Sequence, residues 1–335
     1  VSSPQSEPKQ EIDPAFRQRC ESIYQAWYNG DGDFRVAVEQ LLVLQNEAIS
    51  AEQYAHQGLV ENSIGMMYGY RADLDQSIRH FSRARDLFER ARNPAEVVRA
   101  VMNLGESYRL KGDFARARQF FRMAYEQAGV LNVVSTQAYA ASNEGHLLLS
   151  MHQYESARER FERALELAPQ IEDKHGQVEL RTDANQGMAA YYLQQGDNTS
   201  AWKCALESMR LSQQAGQPFL LGFAFRTMGD VLTALGRTPS GTPEPQPESP
   251  DPAATNEHLG DPDMYFQLAV EKFQEINAEG ELARTIYAQG MSLLQRGQKM
   301  TASRKFYQAM LLFTKLGMKD DANKAAQAQM QAQAR

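Results

Sequence analysis

The 335-residue sequence is short of the features that most function classes require. It has two cysteines, Cys20 and Cys204, far apart in the chain. Two thiols make no disulfide framework, which points to a reducing, cytoplasmic setting where each is a small apolar side chain. No apolar run is long enough to cross a membrane. Residues 1–13 are polar and lack the apolar core of a secretion signal. Val1 rather than Met stands first, which leaves a processed form open. Positive charge is not in excess: the net charge is -7, with a net of -2 in residues 1–13 and -5 in residues 237–263. The body is therefore neutral, and no basic stripe offers itself to nucleic-acid phosphates. The motifs G-x-x-x-x-G-K-[ST], H-E-x-x-H, C-x-x-C and G-x-S-x-G are all missing, so nothing points to an enzyme or to a cofactor. The six histidines are scattered, and His146 and His152 do not share a helical face, which argues against a metal site. Asn29-Gly30-Asp31-Gly32-Asp33 looks like the start of a calcium loop. Phe34 stands where such a loop needs Gly and Gln40 where it needs Glu, so the stretch reads as a turn. Asn198-Thr199-Ser200 is a glycosylation sequon only in a secreted chain.

What is present is a repeat. Gly32-Asp33-Phe34, Ala72-Asp73-Leu74 and Gly112-Asp113-Phe114 are spaced by 40 residues, and Gln153-Tyr154 continues the series. Gly196-Asp197, Gly236 and Gly297 extend it to seven turns, the last delayed by an insertion. Before the turns stands a small residue with an aromatic or Leu three positions on: Gly65/Tyr68, Gly105/Tyr108, Gly145/Leu148, Gly229/Leu232 and Gly290/Leu293. After them comes Phe-x-x-Ala: Phe81/Ala84, Phe121/Ala124, Phe161/Ala164, Phe266/Ala269 and Phe306/Ala309. Steps of three keep each pair on one helical face. A glycine inside a helix costs stability. It recurs here because a neighbouring helix comes too close for a side chain, with Phe filling the space beside it. Pro94, Pro169 and Pro218 fall between hairpins, where helices stop. One hairpin cannot bury its apolar face alone, so such units stack.

This pattern resembles the tetratricopeptide repeat over roughly residues 15–320. Its best copy runs from Asn103-Leu104-Gly105-Glu106-Ser107-Tyr108 through Gly112-Asp113-Phe114-Ala115-Arg116-Ala117. The unit is longer than the family's commonest one, as in kinesin light chain, the LGN-type adaptors and bacterial regulators with sensor repeats. The resemblance implies an all-α, right-handed superhelical solenoid of about seven helix-turn-helix repeats over 14–320. The first and fifth copies are weak: Gln25 and Ala189 replace the Gly, Leu41 and Ala205 the Phe. The first looks like a degenerate cap.

Residues 237–263 hold seven of the 13 prolines and almost nothing apolar. They read as a disordered acidic insert inside the sixth hairpin, either tolerated or a regulated tether with phosphorylatable Thr238, Ser240, Thr242 and Ser249. Residues 1–13 read as a disordered tail. Residues 321–335, rich in Ala and Gln with no apolar stripe, read as a cap or linker helix facing solvent.

The resemblance implies that the first helix of each hairpin lines a concave groove that holds a protein or peptide partner. Carried over residue by residue, the candidates are Arg99, Met102, Asn103, Glu106 and Arg109, then Tyr139, Ser142, Asn143 and His146. The fifth repeat supplies Asp183, Asn185 and Gln186. The sixth supplies Phe223, Arg226, Thr227 and Asp230, and the seventh Arg284, Tyr287 and Met291. Asn103, Asn143 and Asn185 each precede a Gly by two, and an amide can pair with a peptide backbone. The resemblance implies an asparagine ladder of the kind by which longer-repeat relatives hold extended peptides. The alternative is an amide bonded to a neighbouring helix. Arg99 and Arg109 flank Glu106 and can pair with it. Arg226 and Arg284 have fewer obvious partners nearby and can meet carboxylates. The expected function is an interaction adaptor. The alternative is a sensor module of a larger bacterial signalling protein, a reading favoured by the Glu281-Leu282-Ala283-Arg284-Thr285 stretch, which resembles sensor arrays.

Overall fold

The computed structural model describes residues 9–29, 31–236 and 260–334. Their regular structure is helical, and no strand occurs among them. Seven helix pairs follow one another: α1 (Pro14–Tyr28) with α2 (Phe34–Ser50), α3 (Tyr54–Tyr70) with α4 (Leu74–Arg90), and α5 (Pro94–Leu110) with α6 (Phe114–Val130). Next come α7 (Val134–Ser150) with α8 (Tyr154–Leu167), α9 (Lys174–Gln195) with α10 (Asn198–Ala215), and α11 (Pro218–Leu235) with α12 (Pro262–Glu275). The last pair is α13 (Glu279–Gln295) with α14 (Lys299–Lys315), and α15 (Lys319–Gln333) packs on α14. By compactness the chain divides into Val1–Gly69 with Asp73–Ala140 (unit 1), and Tyr70–Ala72 with Ala141–Arg335 (unit 2).

The expected turns are where the pairs reverse. Asp33, Asp73, Asp113 and Asp197 cap the helices that follow, each accepting a backbone N–H two or three residues on. Asp33 thus serves as the cap of α2. Just before the caps the backbone turns left-handed, with φ +84° at Gly112, +73° at Gly196 and +80° at Gly297. Ala72 (+61°) and His152 (+58°) take the same conformation with a Cβ, at a cost of about 1 kcal/mol each.

Glycines meet phenylalanines as the spacing requires. A Cβ on Gly105 would stand 2.7 Å from two ring atoms of Phe121. Gly65 faces Phe81, Gly229 faces Phe266, and Gly290 faces Phe306 in the same way. The second and sixth hairpins have a further layer seven residues away, Gly58 on Phe88 and Gly222 on Phe273. Gly105→Leu is expected to cost about 1–3 kcal/mol by overpacking, read as a lower urea midpoint. An unchanged midpoint would put the register in error.

The fifth pair departs from this scheme. With Ala189 and Ala205 both buried and no Phe in place, Trp202, one turn before Ala205, is fully buried instead. Gly187 of α9 does not serve its own hairpin. It lies against the ring of Phe161 in α8, which also abuts Gly145.

Three boundaries differ from expectation. Residues 1–8 lie outside the described residues, but 9–13 are held. The Gln10 N–H donates to Ala91 O (2.9 Å), Asn93 Nδ2 donates to Gln10 O (3.3 Å), and the Asp13 N–H donates to His56 Nε2 (3.0 Å). The expected insert lies outside the described residues over 237–259. Its end at 263 falls inside α12, because Asp261 caps that helix and Asp263 pairs with Arg296 at 2.7 Å. Finally, α15 does have a buried stripe, made of alanines: Ala325, Ala328 and Ala332. Spacing of three and four places them on one face, and their small size lets α14 come close.

Candidate partner-binding surface

In unit 1 the first helices spend most of their polar groups internally. Glu96, buried near the start of α5, accepts from Arg17 at 2.7 Å and Arg99 at 2.9 Å. Arg99 therefore pairs with Glu96 and not with Glu106, since three residues along a helix put the two side chains side by side. Glu106 is taken by Arg109 at 2.6 Å. Asn103 Nδ2 donates to Asn62 Oδ1 of α3 at 2.9 Å, an amide pair between neighbouring first helices. Met102 packs beside Val98 and Val101. Asn62, Glu96 and Arg17 were missed in the sequence. Asn62 stands three residues before Gly65, the position that Met102 holds before Gly105. A cleft of about 600 Å³ in the same unit lies at the inter-hairpin turns, lined by Phe88, Asn93, Pro94, Val97 and the exposed Val130 and Leu131.

In unit 2 the first helices keep capacity unspent. Asp183 on α9 accepts from Ser142 Oγ at 2.5 Å and from His146 Nε2 at 3.1 Å, both on α7. The imidazole sits edge-on to Phe161, centroids 4.9 Å apart. The carboxylate bridges hydroxyl and ring, so Ser142 is not set against His146 as a nucleophile against its base. Asn143 is half-buried and makes no hydrogen bond among the described residues. Tyr139, half-buried on the same helix, falls in unit 1. Asn185 turns back on its own helix, donating to Arg181 O at 2.7 Å. Asn103 and Asn185 thus each donate one bond within the fold, as the alternative of an amide bonded inside the protein expects. The Asn-x-Gly match at 185 is also out of register, since the turn at Gly196 gives the small-residue position to Ala189. Gln186 is buried and its Nε2 has no hydrogen-bond partner among the described residues.

Arg226 and Arg284 are not free. Arg226 donates to Glu281 Oε2 at 2.8 Å and Arg284 to Oε1 at 2.5 Å. The Arg226 guanidinium also lies 4.7 Å from the Phe223 ring centroid and 5.9 Å from that of Phe273. Burial pushes the Glu281 carboxyl up, but Arg284 and Arg226 outweigh it and hold it down at about 2. One turn beyond Arg226, Asp230 is pushed up by burial to about 6 against the pull of Arg226, and makes no hydrogen bond among the described residues. Thr227 is half-buried beside it. Tyr287 leans on Phe306, and Met291 is exposed.

Burial lifts the Cys20 thiol to about 12 and the Cys204 thiol to about 11, which makes both poor nucleophiles. Among the described residues no three His, Cys, Asp or Glu are placed to hold a metal ion, and no helix is long and apolar enough to cross a membrane.

Paired helices with Gly–Phe contacts, reversed at capped turns, define a helical-repeat protein. The family model for the tetratricopeptide repeat matches residues 57–128. Three solved structures share the fold across nearly the whole chain. The apo form of RapI is 12% identical with a TM-score of 0.60, covering 89% of this chain and 99% of its own. A Rap protein complexed with Competence and Sporulation Factor is 10% identical with a TM-score of 0.55, covering 95% and 97%. The apo quorum sensor NprR from B. thuringiensis is 11% identical with a TM-score of 0.51, covering 97% and 100%. No curated protein matches by sequence. Residues 57–128 thus match the tetratricopeptide-repeat family, and the chain has the all-α fold of repeated helix pairs that these structures share.

Proposed function

We propose that the chain is an interaction module whose first-helix surface in unit 2 holds a segment of a protein partner, a peptide or a helix, without catalysing a reaction on it. The observation that carries this is unspent hydrogen-bonding capacity. Gln186 Nε2, Asn143 and Asp230 sit on α9, α7 and α11, buried or half-buried, without hydrogen-bond partners among the described residues. Buried polar groups are nearly always paired. A backbone-bearing ligand supplies donors and acceptors for all three. The Rap complex and the quorum sensor NprR, which share the fold, favour a second reading, a sensor module in a signalling protein that responds to such a segment. The two readings share one site and differ in what the occupied module acts on.

A displayed library of short random peptides, selected on the purified chain, tests the site. Gln186→Ala and Asp230→Asn are each expected to weaken selected binders by about 0.5–1.5 kcal/mol, the net worth of a hydrogen bond. Asn185→Ala, which removes a bond within α9, should matter little, as should the exposed Arg116→Ala on α6. Binders that survive both changes but fail with Arg116→Ala would move the site off the first helices.

A further inference from the structure

Two helices are apolar on the side they turn to solvent as well as on the side they bury. On α2, Ala37, Leu41, Leu44 and Ala48 are buried, yet Val36 is 50% exposed, Leu42 45%, Val43 57% and Ile49 52%. They form two rows with seven-residue spacing, Val36 with Val43 and Leu42 with Ile49, on either side of the exposed Glu39. On α14, Phe306 and Phe313 are buried while Met300 is 75% exposed, Tyr307 49% and Leu311 50%. Steps of seven and four put these three on one narrow strip, with the exposed Arg304 inside it. A helix packed on one side only is expected to be polar on the other. Sevenfold spacing of apolar residues is the spacing by which two helices lie along one another.

The charges of the two faces are opposite. The α2 helix carries Glu39 and Glu47 against Arg35, a net of -1, with Glu47 paired to Arg19, and Asp31 and Asp33 stand just before it. The α14 helix carries Lys299, Arg304, Lys305 and Lys315 and no acid, a net of +4. Neither Glu39 nor Arg304 makes an ion pair among the described residues. Two α2 helices side by side would set acid against acid, and two α14 helices would set base against base. Each face is matched by the other. We propose that α2 of one copy packs along α14 of a second copy, head to tail, with Glu39 facing Arg304.

A 17-residue helix is about 25 Å long. One such face is smaller than the roughly 800 Å² per partner of a stable interface, so the contact is weak, with Kd on the order of 10–100 μM. Each contact leaves one α2 and one α14 open, so assembly continues past two copies or closes as a ring.

Sedimentation velocity on the 335-residue chain over a range of concentrations tests this. The mean mass should rise with concentration, and the rise should shrink in high salt, which screens exposed charges. Val43→Asp and Tyr307→Asp should each weaken association at least roughly tenfold. Both sites are exposed, so the melting curve should not change. Glu39→Arg alone and Arg304→Glu alone should each abolish association. An equimolar mixture of those two variants should restore it, because each copy then meets the opposite charge on the other. A chain that stays monomeric throughout overturns the proposal. So does an assembly indifferent to either reversal, which would be a symmetric or unrelated contact, and so does a mixture that fails to associate.

Discussion

Phe161→Ala is expected to destabilise unit 2 by about 3–5 kcal/mol, the upper range for a buried aromatic. The ring is fully buried, and two of its walls are glycines, Gly145 and Gly187, with no side chain to move into the vacated space. A cavity that cannot collapse keeps its full cost. The helices of repeat arrays need not unfold as one, so the loss should be followed locally, as faster amide exchange in α8 and α9 with α3 and α4 little changed. The second half of the argument is coupling. Gly187→Ala in the parent chain pushes a methyl into the Phe161 ring and should cost about 1–3 kcal/mol. In the Phe161→Ala background that methyl has room, and the cost should nearly vanish. A double-mutant cycle should therefore show coupling of about 1 kcal/mol or more. Additivity within about 0.5 kcal/mol would show that the ring does not fill the hollow at Gly187.

That doubly used phenylalanine also marks the limit of what spacing reveals. Turns, caps and Gly–Phe pairs were legible because each is written within one hairpin: Gly112 turns, Asp113 caps, and Phe121 fills the space beside Gly105. The Asn-Gln-Gly triplet at 185–187 looks like the Asn-x-Gly of the third and fourth repeats. Its glycine answers a ring in the previous hairpin, so the match is accidental and Asn185 faces its own helix. Arg99 has carboxylates at three residues and at seven, and the closer one, Glu96, takes it. Glu281 lies 55 residues from Arg226 in sequence, and only packing brings α13 to α11. The candidates on the first helices therefore divide. Arg99, Asn103, Glu106, Arg109, Arg226 and Arg284 bond within the fold, and Asn143, Gln186 and Asp230 keep capacity to spare. The apolar side of α15 is not legible in the sequence because it is built only of alanine, which reads as helix propensity and not as burial.

Glu281→Gln is expected to cost about 3–5 kcal/mol at neutral pH, because it leaves two guanidiniums without their shared carboxylate. Arg226 and Arg284 are 19% and 24% exposed, too enclosed for water to replace that carboxylate in full. The sign of the pH dependence follows from the lowered carboxyl. Held at about 2 in the fold against an ordinary value of 4.5, Glu281 contributes stability in full above about pH 4.5, and the contribution fades as pH falls toward 2. The difference between parent and Glu281→Gln in thermal or urea unfolding should therefore be widest near neutrality and narrow through that acid window. Asp230 works in the opposite direction. Raised to about 6, it favours the folded chain while protonated, and that contribution is lost as pH rises from about 4 through 6. The two groups are linked through Arg226, which Glu281 partly neutralises. With Glu281 gone, Asp230 faces an uncompensated Arg226, and its carboxyl should titrate lower than in the parent, which carbon-detected NMR of the Asp carboxyl carbon would read directly. Adding Arg226→Met to Glu281→Gln removes one stranded charge while retaining apolar contact with Phe223 and Phe273, so the double variant should recover part of the loss. Parallel pH profiles for parent and Glu281→Gln, together with an unmoved Asp230, would mean that the arginine–glutamate cluster does not hold α11 to α13 by its charge.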